Sequence, residues 1–247
     1  MNEIEILISE DKGVRKLHFD SEWVQGAMRI RQPLHLELEY TRDMLCPFLL
    51  HAPQDWPSHI LCIGLGVGAL PRFFHAFFPE AVVETVEICS SVVAVCEQNF
   101  NLPRTSERFK IHVDCGAQFL LETQCQYDLI IVDGFDQDAG VGPLGTPEFF
   151  QSAKSHLSSG GVLVSNVLTH GNNSMHMIER LQEVFEKRVL ALSKCASGNL
   201  VAVAFESHFE WPTQEEINDN LAELEARTGA NFAKVGSKVR DAIPRSP

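Results

Sequence analysis

The sequence predicts an α/β protein built on a mostly parallel, seven-stranded sheet, with a small β-hairpin region ahead of it. Two observations carry this. From His59 to Val167 short apolar runs alternate with amphipathic segments, the rhythm of strands joined by crossover helices. The first of those runs, Ile60 to Ile63, ends in Gly64-Leu65-Gly66-Val67-Gly68, a Rossmann-like turn from strand into helix.

The elements follow in order. Residues 3 to 8 and 14 to 20 alternate around Asp11-Lys12-Gly13, which predicts an N-terminal hairpin. Leu36 to Leu50 carries Tyr40, Met44, Leu45 and Phe48 at helical spacing and predicts a helix covering one face of the sheet. After the glycine run, Leu70, Phe73, Phe74 and Phe77 recur as on a helix. Ala81 to Ile88 reads as the second strand of the sheet, and Val92, Val93, Cys96 and Phe100 mark the next helix. Phe109 to Val113 ends at Asp114, and Tyr127 to Val132 ends at Asp133, with a short helix, Ala117 to Glu122, between them. Thr146 and Pro147 start a helix as N-cap and first residue, and Gly160-Gly161 delivers the fifth strand, Val162 to Val167. An amphipathic stretch, Asn173 to Lys187, precedes Val189 to Ser193 and Leu200 to Glu206, which suit an antiparallel hairpin at the sheet edge. Ile217, Leu221 and Leu224 define a last helix. The division expected is 1–50 for the hairpin and covering helix, 51–228 for the catalytic sheet domain, and 229–247 for a fraying, Gly-, Lys-, Arg- and Pro-rich tail.

Composition narrows the function. With 45% hydrophobic residues in 247, the chain can bury one sizeable core. Twenty Lys and Arg against 33 Asp and Glu give a net charge of −13, which disfavours nucleic acid and anionic membrane surfaces as partners. No apolar run is long enough to span a bilayer, and the acidic start MNEIEILISED does not resemble a secretory signal. Seven cysteines, an odd number without C-x-x-C spacing, read as reduced thiols of a cytoplasmic protein. No His/Cys ligand spacing predicts a metal site, and Gly-x-Ser-x-Gly is absent.

The chemistry is concentrated at the strand ends. Gly64, Gly66 and Gly68 let backbone N–H groups approach a ligand at a helix N-terminus. The last glycine comes two residues after the second rather than three, which favours an adenosyl ligand without a pyrophosphate over a dinucleotide and makes an oxidoreductase a distant reading. Glu87 ends the second strand, where a carboxylate can accept from both ribose hydroxyls. With Asp114 and Asp133 it makes three acids at successive strand tips, converging on the crevice where open α/β sheets bind ligands. Each alone would be an ordinary turn or cap residue. Asp136, close to Asp133, can help hold or deprotonate an amine.

These residues resemble the spermidine synthase family, the polyamine aminopropyltransferases on the class I methyltransferase sheet. His59 to Gly68 with Arg72 is similar to the family's glycine loop, Val86-Glu87-Ile88 to its ribose-binding segment, and Val113-Asp114-Cys115-Gly116 to its adenine-binding acid. Tyr127 to Asp133, followed by Gly142-Pro143, Thr146 and Glu148-Phe149-Phe150, resembles the catalytic loop and next helix, and Gln25 a ligand-contacting glutamine. The resemblance implies S-adenosylmethionine or its decarboxylated form as cofactor, a homodimer, and an amine or polyamine acceptor near Tyr40 and Arg42. It assigns Gly64, Gly66, Gly68, Glu87, Asp114, Cys115, Gln25, Asp133 and Pro143 to the cofactor, and Asp133 with Asp136 to catalysis. Two departures stand out. Val67 occupies the place of an aspartate that holds the donor's amine, and Tyr40-Thr41-Arg42 replaces a Tyr-His-Glu stretch. Arg42 can pair with a carboxylate, which the intact cofactor has and the decarboxylated one lacks. The expectation is therefore a spermidine synthase-like transferase passing an aminopropyl or methyl group to an amine. The alternatives are a methyltransferase not acting on polyamines and a non-catalytic binding protein on the same fold.

Overall fold

The computed structural model describes residues 6–19, 24–50, 56–135, 140, 142–169, 173–207 and 209–244. Asp136 and Asp138 lie outside the described residues, as does His170.

The N-terminal region is a three-stranded antiparallel sheet of β1 (Ile6–Asp11), β2 (Val14–Phe19) and β3 (Val24–Arg29), in that order. The expected hairpin is present, and β3 adds to it. Val-Gln-Gly-Ala-Met-Arg carries no clear alternation, so its strand character comes from pairing with β2 rather than from pattern. Leu17, Phe19 and Met28 from this sheet pack on Val92, Cys96 and Phe100 and on Leu65 and Val67 of the glycine turn, which seats the small sheet over the site.

The covering segment is two short helices, α1 (Glu39–Asp43) and α2 (Pro47–Leu50), not one. Pro47 cannot donate to the preceding turn and starts a new helix instead. Met44, Leu45 and Phe48 are buried as the spacing required.

The main sheet joins β4 (His59–Ile63), β5 (Val82–Glu87), β6 (Phe109–Val113), β7 (Tyr127–Val132), β8 (Leu157–Leu168), β9 (Val189–Ala191) and β10 (Asn199–Phe205) in the order β6-β5-β4-β7-β8-β10-β9. Strands β6 through β8 are parallel, and β10 runs antiparallel to β8 and to β9. The connection order reverses between β4 and β7, so their carboxyl ends frame a switch-point crevice.

Helices α3 (Ala69–Phe77), α4 (Ser90–Asn99), α5 (Gly116–Glu122), α6 (Pro147–Ser155), α7 (Asn173–Val184) and α8 (Gln214–Thr228) flank the sheet. On one face Phe48, Phe73, Phe74 and Phe78 form an aromatic core, each ring contributing about 1.5–3 kcal/mol by burial. On the other, Phe149, Phe150, Leu181 and Phe185 pack on β7, β8 and β10. The Thr146 hydroxyl accepts from Phe149 N at 3.2 Å, capping α6 as its sequence predicts.

The expected tail is a correction. Gly229, at φ +67°, closes α8, and the chain turns back into α9 (Ala233–Ala242), with Phe232, Val235 and Val239 buried against the core. Lys238 on α9 is buried and ion-paired to Asp43 at 2.5 Å and Glu39 at 3.0 Å, both on α1. What reads as tail-like polarity is thus a partner for acids 195 and 199 residues earlier in the chain.

Candidate active site

The glycine turn is shaped by backbone contact. Gly64 has φ +96°, and a Cβ on it would lie 2.2 Å from the Asp133 carbonyl oxygen, so the β4 and β7 tips meet only because no side chain intervenes. Gly66, at φ +53°, borders the cavity beside Gln25. Gly68, also expected at the cofactor, lies off the cavity: at φ +66° it caps α3, and a Cβ there would meet Leu102. Arg72 fixes the turn from beneath, donating to Val67 O at 3.0 Å, Phe100 O at 2.7 Å and Pro33 O at 2.8 Å. Burial pulls its pKa down to about 10, which leaves the guanidinium charged.

Above this turn opens a cavity of about 1020 Å³, ample for a nucleoside and a small co-substrate. At one end Glu87 ties the second strand to the turn: Oε2 accepts from Leu65 N at 3.0 Å and Oε1 from Cys89 N at 2.9 Å. Burial pushes its pKa up against those backbone donors. The carboxylate keeps accepting capacity for a ribose hydroxyl. Cys115, Gly116, Pro143 and Leu144 continue this end, with Ile88, 63% exposed, and Val86 beside them, an apolar slot suited to a planar base. Asp114 stands at the β6 tip with Oδ1 accepting from Cys115 N at 2.7 Å; its neighbours Cys115 and Gly116 line the cavity and it does not. The residues present therefore fit an adenosyl group: a turn without side chains at Gly64 and Gly66, the Glu87 carboxylate and an apolar slot line one cavity.

Asp133 occupies the middle. Its carboxylate is enclosed by neighbouring elements while one side faces the cavity. Oδ2 accepts from the Tyr40 hydroxyl at 3.1 Å and Oδ1 from Asn166 Nδ2 at 2.7 Å. Burial raises its pKa, and those two donors oppose the rise. Tyr40 is pushed well above its ordinary value, first by burial and then by Asp133, so it remains a protonated donor. Arg42 reaches the cavity too, but its Nη1 donates to the Leu36 carbonyl and to Glu37 O at 3.1 Å, an anchoring role for the α1 approach.

The far end is made of Asn166, Leu168, Ala196, Ser197 and Asn199, which the sequence reading missed. Asparagine and serine in strands and turns carry no motif; the only signal was Asn166 lying in the strand after Asp133's. Beneath the turn a smaller pocket of about 20 Å³ is lined by Gln25, Gly26, Leu38, Thr41 and Val67. Val67, 2% exposed, packs directly over Gly26, so this spot is apolar.

Comparison with known proteins places the chain in a family. The family described as Spermine/spermidine synthase domain matches residues 40–197, a span that holds Tyr40, the glycine turn, Glu87, Asp133 and Asn166. A polyamine aminopropyltransferase of Chromobacterium violaceum is 37% identical over 236 residues, covering 96% of this chain and 89% of that protein. Among solved structures, a probable spermidine synthase from Corynebacterium glutamicum superposes with a TM-score of 0.74 at 22% identity, over 98% of this chain and 92% of that one. Human methyltransferase-like protein 13 in complex with SAH gives 0.65 at 22% identity, over 85% and 95%. These two likenesses establish the fold, a methyltransferase-type sheet. The family match, with a relative at 37% identity across both lengths, establishes kinship: the chain belongs to the spermine/spermidine synthase family.

Proposed function

We propose that the protein transfers the aminopropyl group of decarboxylated S-adenosylmethionine to a small amine of the putrescine type. The observation that carries this reading is Asp133: a half-buried carboxylate, held by two neutral donors, in the same cavity as Glu87 and the glycine turn. The sulfonium supplies an alkyl carbon that is already activated toward displacement. The chain has to align the amine and take its proton. As the N–C bond forms and the C–S bond breaks, the electron pair returns to sulfur and the ammonium proton passes to Asp133. A base whose pKa is raised by burial is better matched to neutral pH than a solvated aspartate. Gln25, Glu87 and Pro143 would hold the nucleoside, Tyr40 would orient the base, and Asp136 would assist it.

The test is to incubate the protein with decarboxylated S-adenosylmethionine and putrescine and to follow 5′-methylthioadenosine and spermidine. Equimolar formation of both is expected; failure of any amine to elicit the thionucleoside removes the reading.

A second reading, methyl transfer from intact S-adenosylmethionine, draws on the apolar Val67 over Gly26 and on Arg42 at the cavity wall. Calorimetric affinities for the intact and decarboxylated donors separate the two. A homodimer in the cytoplasm completes the proposal: the family resemblance supports the first and seven free thiols the second. Light scattering in solution checks the mass.

A further inference from the structure

Asp133 is the end of a chain of side-chain hydrogen bonds that crosses three strands. Asn166 on β8 donates through Nδ2 to Asp133 Oδ1 at 2.7 Å. Its own Oδ1 accepts from Asn199 Nδ2 at 3.0 Å, and Asn199, first residue of β10, accepts at Oδ1 from Ser197 Oγ at 2.7 Å. Cys195 Sγ lies 3.0 Å from Ser197 Oγ and ends the line. Register makes this possible. In the antiparallel β8–β10 pair Asn166 stands opposite Val201 and Asn199 opposite Leu168, so the two amides meet diagonally across the ladder.

The direction of the chain is determined. A side-chain amide has one accepting and one donating end. Because the ionised Asp133 carboxylate can only accept, Asn166 must point its amino group at it, Asn166 Oδ1 then takes the amino group of Asn199, and Asn199 Oδ1 is left to accept the Ser197 hydroxyl. Asn166 is 2% exposed and Asn199 7%, so an amide rotated the wrong way would face oxygen to oxygen and lose a hydrogen bond at a contact largely closed to solvent. We propose that Asn199 and Ser197 are positioning residues for the base: acting through Asn166, they fix which face of Asp133 accepts a donor and which stays open to the amine. This deepens the reading of Asp133 as base and rests on it.

Among the described residues, the other titratable groups facing Asp133 are Tyr40 from α1 and Cys62 from β4; Cys195 faces Tyr40. Burial keeps both Tyr40 and Cys62 protonated through the neutral range. A change in the Asp133 titration on altering Asn199 or Ser197 therefore reports the amide chain and not a competing charge.

The test reads that titration directly, by carbon-13 NMR of labelled aspartate carboxyls, with Asp133 assigned from its disappearance in Asp133→Asn. In Asn199→Leu, neutral and similar in shape, the Asp133 midpoint is expected to rise by about half a pH unit or more, because the donor to Oδ1 is no longer held. Ser197→Ala should shift it the same way by less, and Ser197→Thr, which keeps the hydroxyl, should restore it. In the aminopropyl-transfer assay the acid limb of kcat should follow these midpoints, while 5′-methylthioadenosine affinity stays within about twofold. Midpoints unchanged in both Asn199→Leu and Ser197→Ala overturn the proposal, and if Asn199→Leu does not fold, the Ser197 pair decides. Turnover surviving in Asp133→Asn would instead sink the reading of Asp133 as base, leaving the NMR result standing as a statement about the carboxylate alone.

Discussion

At the scale of single residues, Asp133, the proposed base, is where function and stability oppose each other. Its pKa is raised by burial, so the fold favours the neutral carboxyl. The stabilisation this gives is full below the ordinary value of 3.8 and lost as pH rises through the elevated folded value. At neutral pH the ionised base is therefore a burden on the fold. Asp133→Asn should lower kcat by about 10²–10⁴-fold. It should also raise the melting temperature by about 2–4 °C at pH 7.5, a gain that shrinks as pH falls through the Asp133 midpoint; paired activity and thermal scans check both. Because only the ionised base accepts a proton, activity should fall on the acid side of that midpoint. Tyr40→Phe removes one of the two donors that hold it down, so the acid limb should move up and kcat fall about tenfold. A pH–rate profile decides. That Asp133, Glu87, Gly64 and Gly66 line one cavity was legible because a carboxylate or glycine ending an apolar run is conspicuous. Asn166 and Asn199 were not, since their meaning depends on a strand register that no local pattern reports.

Among the elements, the contact between the β4 and β7 tips is the narrowest tolerance in the site. Gly64→Ala would place a methyl 2.2 Å from a backbone oxygen, and we expect a loss of about 3 kcal/mol or more in chemical denaturation, with nucleoside binding lost alongside. The last helix is the second such point. Lys238→Met would leave Asp43 buried without its cation and should cost about 3–5 kcal/mol, seen as a lowered urea midpoint. The sheet strands and α3, α4, α6 and α7 follow from periodicity because each buries one apolar face. Helix α9 escaped notice for a physical reason: Gly236 sits at its midpoint, where a Cβ would press on Leu221 at 3.0 Å, and Lys234, Lys238 and Arg240 share its short length. A residue chosen for close helix packing and a buried cation look, in sequence, like a solvated end. The third N-terminal strand, with glycine inside it, escaped similarly.

For the molecule as a whole, the cavity draws on regions far apart in the chain: the N-terminal sheet supplies Gln25, α1 Tyr40, the central strand tips Glu87 and Asp133, and the edge hairpin Asn199. A nucleoside that bridges these parts should stabilise all of them together. Saturating 5′-methylthioadenosine, at about 100 times its dissociation constant, should add about 2.7 kcal/mol, and Glu87→Ala should erase most of the accompanying rise in melting temperature. Differential scanning fluorimetry with and without the nucleoside measures this. The Lys238 link has a temporal meaning as well. During synthesis the helix bearing Tyr40 leaves the ribosome long before Lys238, which follows Asp43 by 195 residues, so this ion pair closes only after every strand of the central sheet has emerged.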